Sequence, residues 1–387
     1  MRYLIGIDAL GIDQPGGART AVFYLLKEIF NQSQNFDFII YVSKFENEFS
    51  AFCHVKQKVI PLRKGIVSRI LAQFIFVIES AHNKFDLFHF TKSQGSFLFN
   101  TKSIITIFDL TILREPNMFS KIDVLFWKKI QPKILSKMKK IITISNDVAN
   151  DVKEYYQISD SKIDVVYCAT QFVNLKITSN KNLESFRKKY ELPHRYFLFL
   201  GIIAQKKNLN TLIKAYKILR NKQIEIPKLI LAGPYYPKSD GKDVFKLIHS
   251  EGLSEQIKYI GKIDISELSC LYQSSEIFIM PSVHEGFGIP VLEAMQHGIP
   301  IIVSNASSLP EVVGDAGLLV NDYMNPDAWA KAIELLISDE ELRKSLILKG
   351  KNRIKKFNWR LSAEKTIMIY NEVLGEKFQS EQNKDEV

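Results

Sequence analysis

Short, nearly continuous apolar runs punctuate the chain at Tyr3 to Asp8, Phe38 to Val42, Leu87 to Phe90, Ser103 to Phe108 and Lys140 to Ser145. They return at Tyr196 to Ile202, Lys228 to Gly233, Ile257 to Gly261, Glu276 to Met280, Ile299 to Val303 and Gly317 to Val320. Runs of this kind read as strands buried on both faces, as in parallel sheets. Between them, stretches such as Ala18 to Phe30, Leu209 to Leu219, Ile289 to His297, Asp327 to Ser338, Glu340 to Lys356 and Trp359 to Leu374 read as helices. Strands alternating with helices predict an α/β fold with doubly wound sheets. The alternation lapses around residues 170 to 192, where Asn174 to Asn182 is polar and strand-poor. The expectation is a first domain over 1–175 and a second over 190–358. A final helix follows over 359–374, and a charged tail over 375–387 that frays.

Composition keeps this picture and narrows it. Hydrophobic residues make up 46% and charged residues 24% of 387, as in a soluble globular protein with room for two cores. Cys53, Cys168 and Cys270 are scattered without metal-ligand spacing, which suits a reducing compartment. Met1 to Gly6 is too short for a signal peptide, and no run has transmembrane length. A cytoplasmic protein is expected, free or peripheral on the inner face of the membrane.

The net charge of +10 is uneven: residues 51–140 hold sixteen Lys and Arg against five Asp and Glu. Nucleic acid, an anionic membrane and a phosphorylated substrate are all partners for such a region. Residues 64–85 and 118–141 mix cations with apolar residues in the manner of basic amphipathic helices. Such helices either lie on an anionic lipid surface or cover their own sheet with the lysines solvated. Both readings stay open. No helix-turn-helix or RNA-binding signature is present, so nucleic acid is not expected.

Chemistry concentrates at residues 275–300. A strand ends at Pro281, a loop carries Glu285, Gly286, Phe287 and Gly288, and a helix with Glu293 ends near Gly298. Strand, glycine loop and helix expose amides at a helix N-terminus, where an anion is welcome. Lys206 and Lys207 stand in a similar turn after Gly201, placed to clasp a diphosphate. Gly16 and Gly17 sit at the first strand-to-helix turn, and His89 and Phe108-Asp109 at predicted carboxyl ends of strands. Taken singly, the glycine pair reads as a flexible turn as readily as a ligand loop, while two lysines in a turn are more often just solvated and a lone histidine more often structural.

Together they resemble a known family. Gly201-Ile-Ile-Ala-Gln-Lys-Lys-Asn208, Pro281-Ser-Val-His-Glu-Gly-Phe-Gly-Ile-Pro-Val-Leu-Glu-Ala-Met295 and Ser304 to Gly317 are similar to the retaining GT-B glycosyltransferases of family 4, with Phe357-Asn-Trp359 entering the last helix. The resemblance is strong over 196–374 and looser over 1–170. It implies two Rossmann-like domains facing a cleft, the first on the acceptor side and the second holding a nucleotide-sugar. The last helix would pack back towards the first domain.

In that family's pattern Lys206 and Lys207 hold the diphosphate and Glu285 meets hydroxyls of the transferred sugar. The amides of Gly286, Phe287 and Gly288 approach the distal phosphate and sugar, and Glu293 takes the ribose hydroxyls. Gly16 and Gly17 close over the phosphates. Glu285, Lys207 and Asp109 are the catalytic candidates, and Gly201 joins the donor set. The donor is a GDP- or UDP-sugar, leaning to mannose, and the acceptor a lipid-linked glycan of a surface polysaccharide. No metal and no further cofactor are implied. Phe108 stands where the family commonly has His, and Ile202 where many members have Arg. A degenerate binder without transfer, or a sugar-nucleotide epimerase, is the alternative.

Overall fold

The computed structural model describes residues 2–13, 16–33, 35–60, 66–96, 98–172, 178–235 and 242–375, with backbone only at 66–70 and 242. The tail at 376–387, part of the polar linker at 173–177 and residues 64–65 of the first basic stretch lie outside the described residues. The chain divides into two compact units, one of Met1–Ala169 with the segment from Asn358 onward, the other of Thr170–Phe357.

The first unit is a parallel sheet of β1 (Tyr3–Asp8), β2 (Phe36–Val42), β3 (Val55–Val59), β4 (Leu87–Phe90), β5 (Ser103–Ile107), β6 (Lys140–Thr143) and β7 (Ile163–Val165). Their order is β3-β2-β1-β4-β5-β6-β7, so the winding reverses between β1 and β4. Open sheets take ligands at the carboxyl side of such a reversal. The hydrophobic pattern does not reveal the two edge strands. β3 reads Val-Lys-Gln-Lys-Val, half exposed and polar, and β7 has three residues. An edge strand buries less, so its apolar signal is weaker.

One face of this sheet is covered by the helix Gly17–Gln32 and by the last helix, Trp359–Leu374. Leu26, Ile29 and Phe30 meet Ile5, Ile7 and Phe38, and Ala363, Ile369 and Tyr370 join the same core. Burying an aliphatic or aromatic side chain of this kind stabilises by about 1.5–3 kcal/mol. The Tyr24 ring stacks on Trp359 with centroids 6.2 Å apart.

On the other face, the helix Ile66–Asn83 places Phe76 against Tyr41, Phe88 and Phe90. Ile105, the register partner of Phe90, faces the same side, close to Gly95 and Ile134. Residues 118–141 correct the expectation of one long basic helix. A helix Lys121–Lys129 stops, a second runs Gln131–Lys137, and β6 starts at Lys140. Pro132 sits in the first turn of the second helix. It lacks an N–H and its ring clashes with the preceding turn, so the first helix ends and another begins.

The second unit is a parallel sheet of β8 (Tyr196–Leu200), β9 (Lys228–Ala232), β10 (Ile257–Gly261), β11 (Ser275–Met280), β12 (Ile301–Ser304) and β13 (Leu318–Val320), in the order β10-β9-β8-β11-β12-β13. The winding reverses between β8 and β11. Leu212, Tyr216, Leu231, Ile279, Trp329 and Ile333 pack in one buried core. The helix Ile289–Gln296 starts at Gly288 with Pro290 in its first turn. It ends in a left-handed Gly298, whose amide donates to the Met295 carbonyl. At the end of β9, Gly233 has φ +129°, and a Cβ there would fall 2.0 Å from the Gly201 carbonyl oxygen. Only glycine lets the ends of β8 and β9 approach this closely.

Candidate donor site

Residues 281–288 leave the carboxyl end of β11, beside the carboxyl end of β8, and other segments pin them on two sides. The Val283 amide donates to the Lys206 carbonyl at 2.9 Å. Ser307 and Ser308 donate their hydroxyls to the Glu285 carbonyl at 2.7 and 2.9 Å. Gly288 has φ +102°, and a Cβ there would meet Leu309 at 2.8 Å. The Phe287 ring is buried against Phe357.

This clamp holds a buried ion pair. Lys207, at the end of the turn Gln205–Lys207, pairs its ammonium with Glu285 Oε1, their side chains only 9% and 12% exposed. Ser282 donates to the same oxygen at 2.7 Å. Burial alone would raise the Glu285 carboxyl, but the Lys207 and Lys206 charges and the hydrogen bonds outweigh it. Glu285 is held below the ordinary carboxylate range and stays ionised. Two cations against one carboxylate leave a net positive charge beside a helix N-terminus, which suits an anion. Lys206 is half-buried, and Gly201 lies with its α-carbon near the Lys207 stem.

Glu293 lies on the helix behind this loop and is 3% exposed. Tyr272 donates to its Oε2 at 2.7 Å and the Gln171 amide to its Oε1 at 2.8 Å. Burial raises its carboxyl to about 7, against the lowering pull of those two donors. The structure therefore brings together Gly201, Lys206, Lys207, Glu285, Gly286, Phe287, Gly288 and Glu293 within the second unit.

Gly16, Gly17 and Asp109 belong to the first unit. Gly16 has φ +141° and stands exposed ahead of the first helix, with nothing within 4 Å of a Cβ position, and Gly17 begins that helix. Asp109 is half-buried and its Oδ1 accepts the Thr111 amide at 3.1 Å. His89 bridges Tyr370 and Thr106, both at 2.8 Å, and burial lowers it to about 3, so it is a neutral core residue. Phe108 lines a pocket of about 370 Å³, open mouth included, with Leu25, Thr106, Ile144 and Trp359. Among the described residues no cluster of three or more His, Cys, Asp and Glu is placed to hold a metal ion.

Residues 181–353 match the family model described as Glycosyl transferases group 1. That stretch belongs to this family, and the fold is GT-B. In sequence the chain is 29% identical to O-antigen chain mannosyltransferase B of Escherichia coli over 272 residues, 70% of each chain. It is 31% identical to serotype-specific mannosyltransferase WbdA of the same organism over 237 residues, 60% of this chain and 29% of WbdA. In structure it is similar to sucrose-phosphate synthase of Thermosynechococcus elongatus, with TM-score 0.78 and 19% identity over 97% of this chain and 100% of the other. Anabaena HepE in complex with UDP and glucose gives TM-score 0.75 at 17% identity, over 96% and 100%. At such identities the structural likeness establishes the fold.

Several polar residues at the strand ends of the two units escape a reading of the sequence. Ser282, Ser307 and Ser308 carry no signal beyond being hydroxyls in loops. Tyr272 and Gln171 lie 21 and 122 positions from Glu293, with no local motif to tie them to it. In the first unit, Asp8 is buried at the end of β1, its Oδ1 accepting the Leu10 amide at 3.0 Å. Burial raises its carboxyl to about 6, while the Leu10 bond and the Lys92 charge pull the other way. A charge ending a predicted strand was the available clue.

Proposed function

We propose that the protein is a retaining, family 4 hexosyltransferase. Its donor is a nucleotide-sugar, GDP- or UDP-linked and leaning to GDP-mannose, and its acceptor a lipid-linked glycan of surface polysaccharide biosynthesis. The observation that carries this reading is the buried Lys207–Glu285 pair inside a loop clamped from both sides. Preorganised donors and cations act most strongly where charge develops in the transition state, because they need no rearrangement. In this reading Lys206 and Lys207 stabilise the departing diphosphate, and Glu285 holds hydroxyls of the sugar. The amides of Gly286, Phe287 and Gly288 approach the distal phosphate. Glu293 receives the ribose hydroxyls, and Gly16, Gly17 and Asp109 serve from the first unit. The two mannosyltransferase relatives support the leaning to mannose, and the HepE complex supports a nucleotide-sugar donor. The protein is incubated with GDP- and UDP-sugars, with and without a lipid-linked acceptor, and nucleotide release is followed. Release that depends on the acceptor is expected. No turnover across the panel would overturn the reading.

The acceptor's lipid calls for a protein that works at the cytoplasmic membrane surface. The helix Lys121–Lys129 leaves Ile122 and Leu125 exposed among Lys121, Lys128 and Lys129, with Phe119 just ahead of it. The helix Ile66–Asn83 leaves Leu71, Phe74 and Ile78 exposed on the same side of the sheet. Apolar residues ringed by cations fit an anionic lipid surface, at about 1 kcal/mol for each Lys near it. Among the described residues no helix is long and apolar enough to cross a membrane. Lys128→Glu with Lys129→Glu should weaken binding to phosphatidylglycerol vesicles about tenfold or more, and unchanged binding would contradict this role.

A further inference from the structure

The carboxylate of Glu293 is already capped on both oxygens by side chains of its own unit, Tyr272 on one and Gln171 on the other. A carboxylate at 3% exposure, so covered, has no open side for a ligand's hydroxyls. Something must yield. Tyr272 is fully buried, its ring stacked on His297 at 4.9 Å and met edge-on by Phe172. His297 is itself fixed, Nδ1 lying 2.7 Å from the Glu293 carbonyl. Gln171 is half-buried, lies outside any helix or strand, and is held through a single neutral amide bond.

We infer that Gln171 occupies the place of the nucleoside's vicinal hydroxyls on Glu293, and that donor binding displaces it. The inference rests on the reading that Glu293 takes the ribose. Gln171 keeps the buried carboxylate supplied with a donor while no nucleotide is bound. Its flank, Phe172, packs on the His297 ring at 4.6 Å, so the segment stays in place when the amide swings aside. Displacing a neutral amide costs part of the binding energy of every ribonucleotide, so Gln171 acts as a threshold on donor affinity. A ligand without the diol has no reason to displace it.

The test is calorimetric titration of GDP and UDP, and of their 2′,3′-dideoxy analogues, into the wild type and Gln171→Met, which keeps the side-chain volume but cannot donate. Loss of a competing hydrogen bond should tighten ribonucleotide binding about three- to tenfold, with the dideoxy analogues unchanged. Equal or weaker ribonucleotide binding by Gln171→Met overturns the inference, as does an equal gain for both classes. A wild type that binds ribo and dideoxy forms alike instead removes the ribose role of Glu293. That outcome is distinct, and it overturns the inference with it. Gln171→Asn serves as the folding control: its shorter amide should give an affinity between the other two.

Discussion

At the carboxyl end of β11 the charges of the second unit are buried and paired, Lys207 with Glu285, and Glu293 under Tyr272 and Gln171. At the corresponding ends of β1, β4 and β5 in the first unit, the polar groups are spent differently. His89 is locked neutral in the core, Asp8 accepts a local amide and Asp109 accepts the Thr111 amide. The exposed character of the first unit lies instead on helices, where Ile78, Ile122 and Leu125 are more than half exposed. One unit holds preorganised buried charge and the other offers surface. Buried, paired charge suits a small, highly charged ligand bound in a fixed pose, and exposed helix surface suits a larger and less uniform partner.

This contrast can be broken most severely at Lys207. Lys207→Met leaves Glu285 charged and buried, which should cost about 3–5 kcal/mol of stability, read by denaturant unfolding. Adding Glu285→Leu should recover most of that loss, and a double-mutant cycle would give the coupling. No exposed pair of the first unit, such as Lys27–Glu48, should cost more than about 1 kcal/mol when broken. Next, Glu285→Gln keeps the size and much of the hydrogen bonding but not the charge. It should lower transfer by about 10²-fold or more, and because it leaves the buried Lys207 ammonium without its counter-charge it should also cost up to about 3–5 kcal/mol of stability. Asp109→Asn, which can still accept the Thr111 amide, should lower transfer far less, and equal losses would erase the distinction between the two units.

A third perturbation acts on the backbone. Gly288→Ala must adopt φ +102° and crowd Leu309, which should cost about 1–3 kcal/mol. Gly16→Ala shares a positive φ but opens on empty space, so its cost should be the smaller of the two. A fourth perturbation is pH. Burial raises Glu293 from 4.5 to about 7, so the folded protein holds that proton more tightly than the unfolded chain. Its contribution to stability is therefore present below about pH 4.5 and declines as pH rises towards about 7. Relative to Glu293→Gln, the ligand-free wild type should lose stability between pH 5 and 7 and hold level above that.

The two units also differ in how much of them could be read from sequence. Pro281 to Met295 was legible because strand, glycine loop and helix follow one another, and every residue of the turn lies within one short stretch. The alternating runs likewise yielded the central strands of both sheets. β3 and β7 were not legible, because edge strands of mixed or minimal composition carry little apolar signal. The break at Pro132 was written in the sequence, but the lysine pattern running through it read as one helix. Gln171 was beyond reach, since its partner Glu293 lies 122 positions away and nothing local marks an amide as a cap. Helical and strand periods report what faces a core. They do not report which polar groups meet inside it.

The central claim is that the clamped loop of the second unit is where the donor binds. It is tested most directly by titrating GDP-mannose, UDP-glucose and their parent nucleotides into the wild type and into Glu285→Gln and Lys206→Ala. Saturable binding of one nucleotide class by the wild type is predicted, weakened about tenfold or more when the Lys206 charge near the diphosphate is removed. Glu285→Gln should reduce affinity for the nucleotide-sugar more than for the bare nucleotide. Binding indifferent to both substitutions would contradict the account.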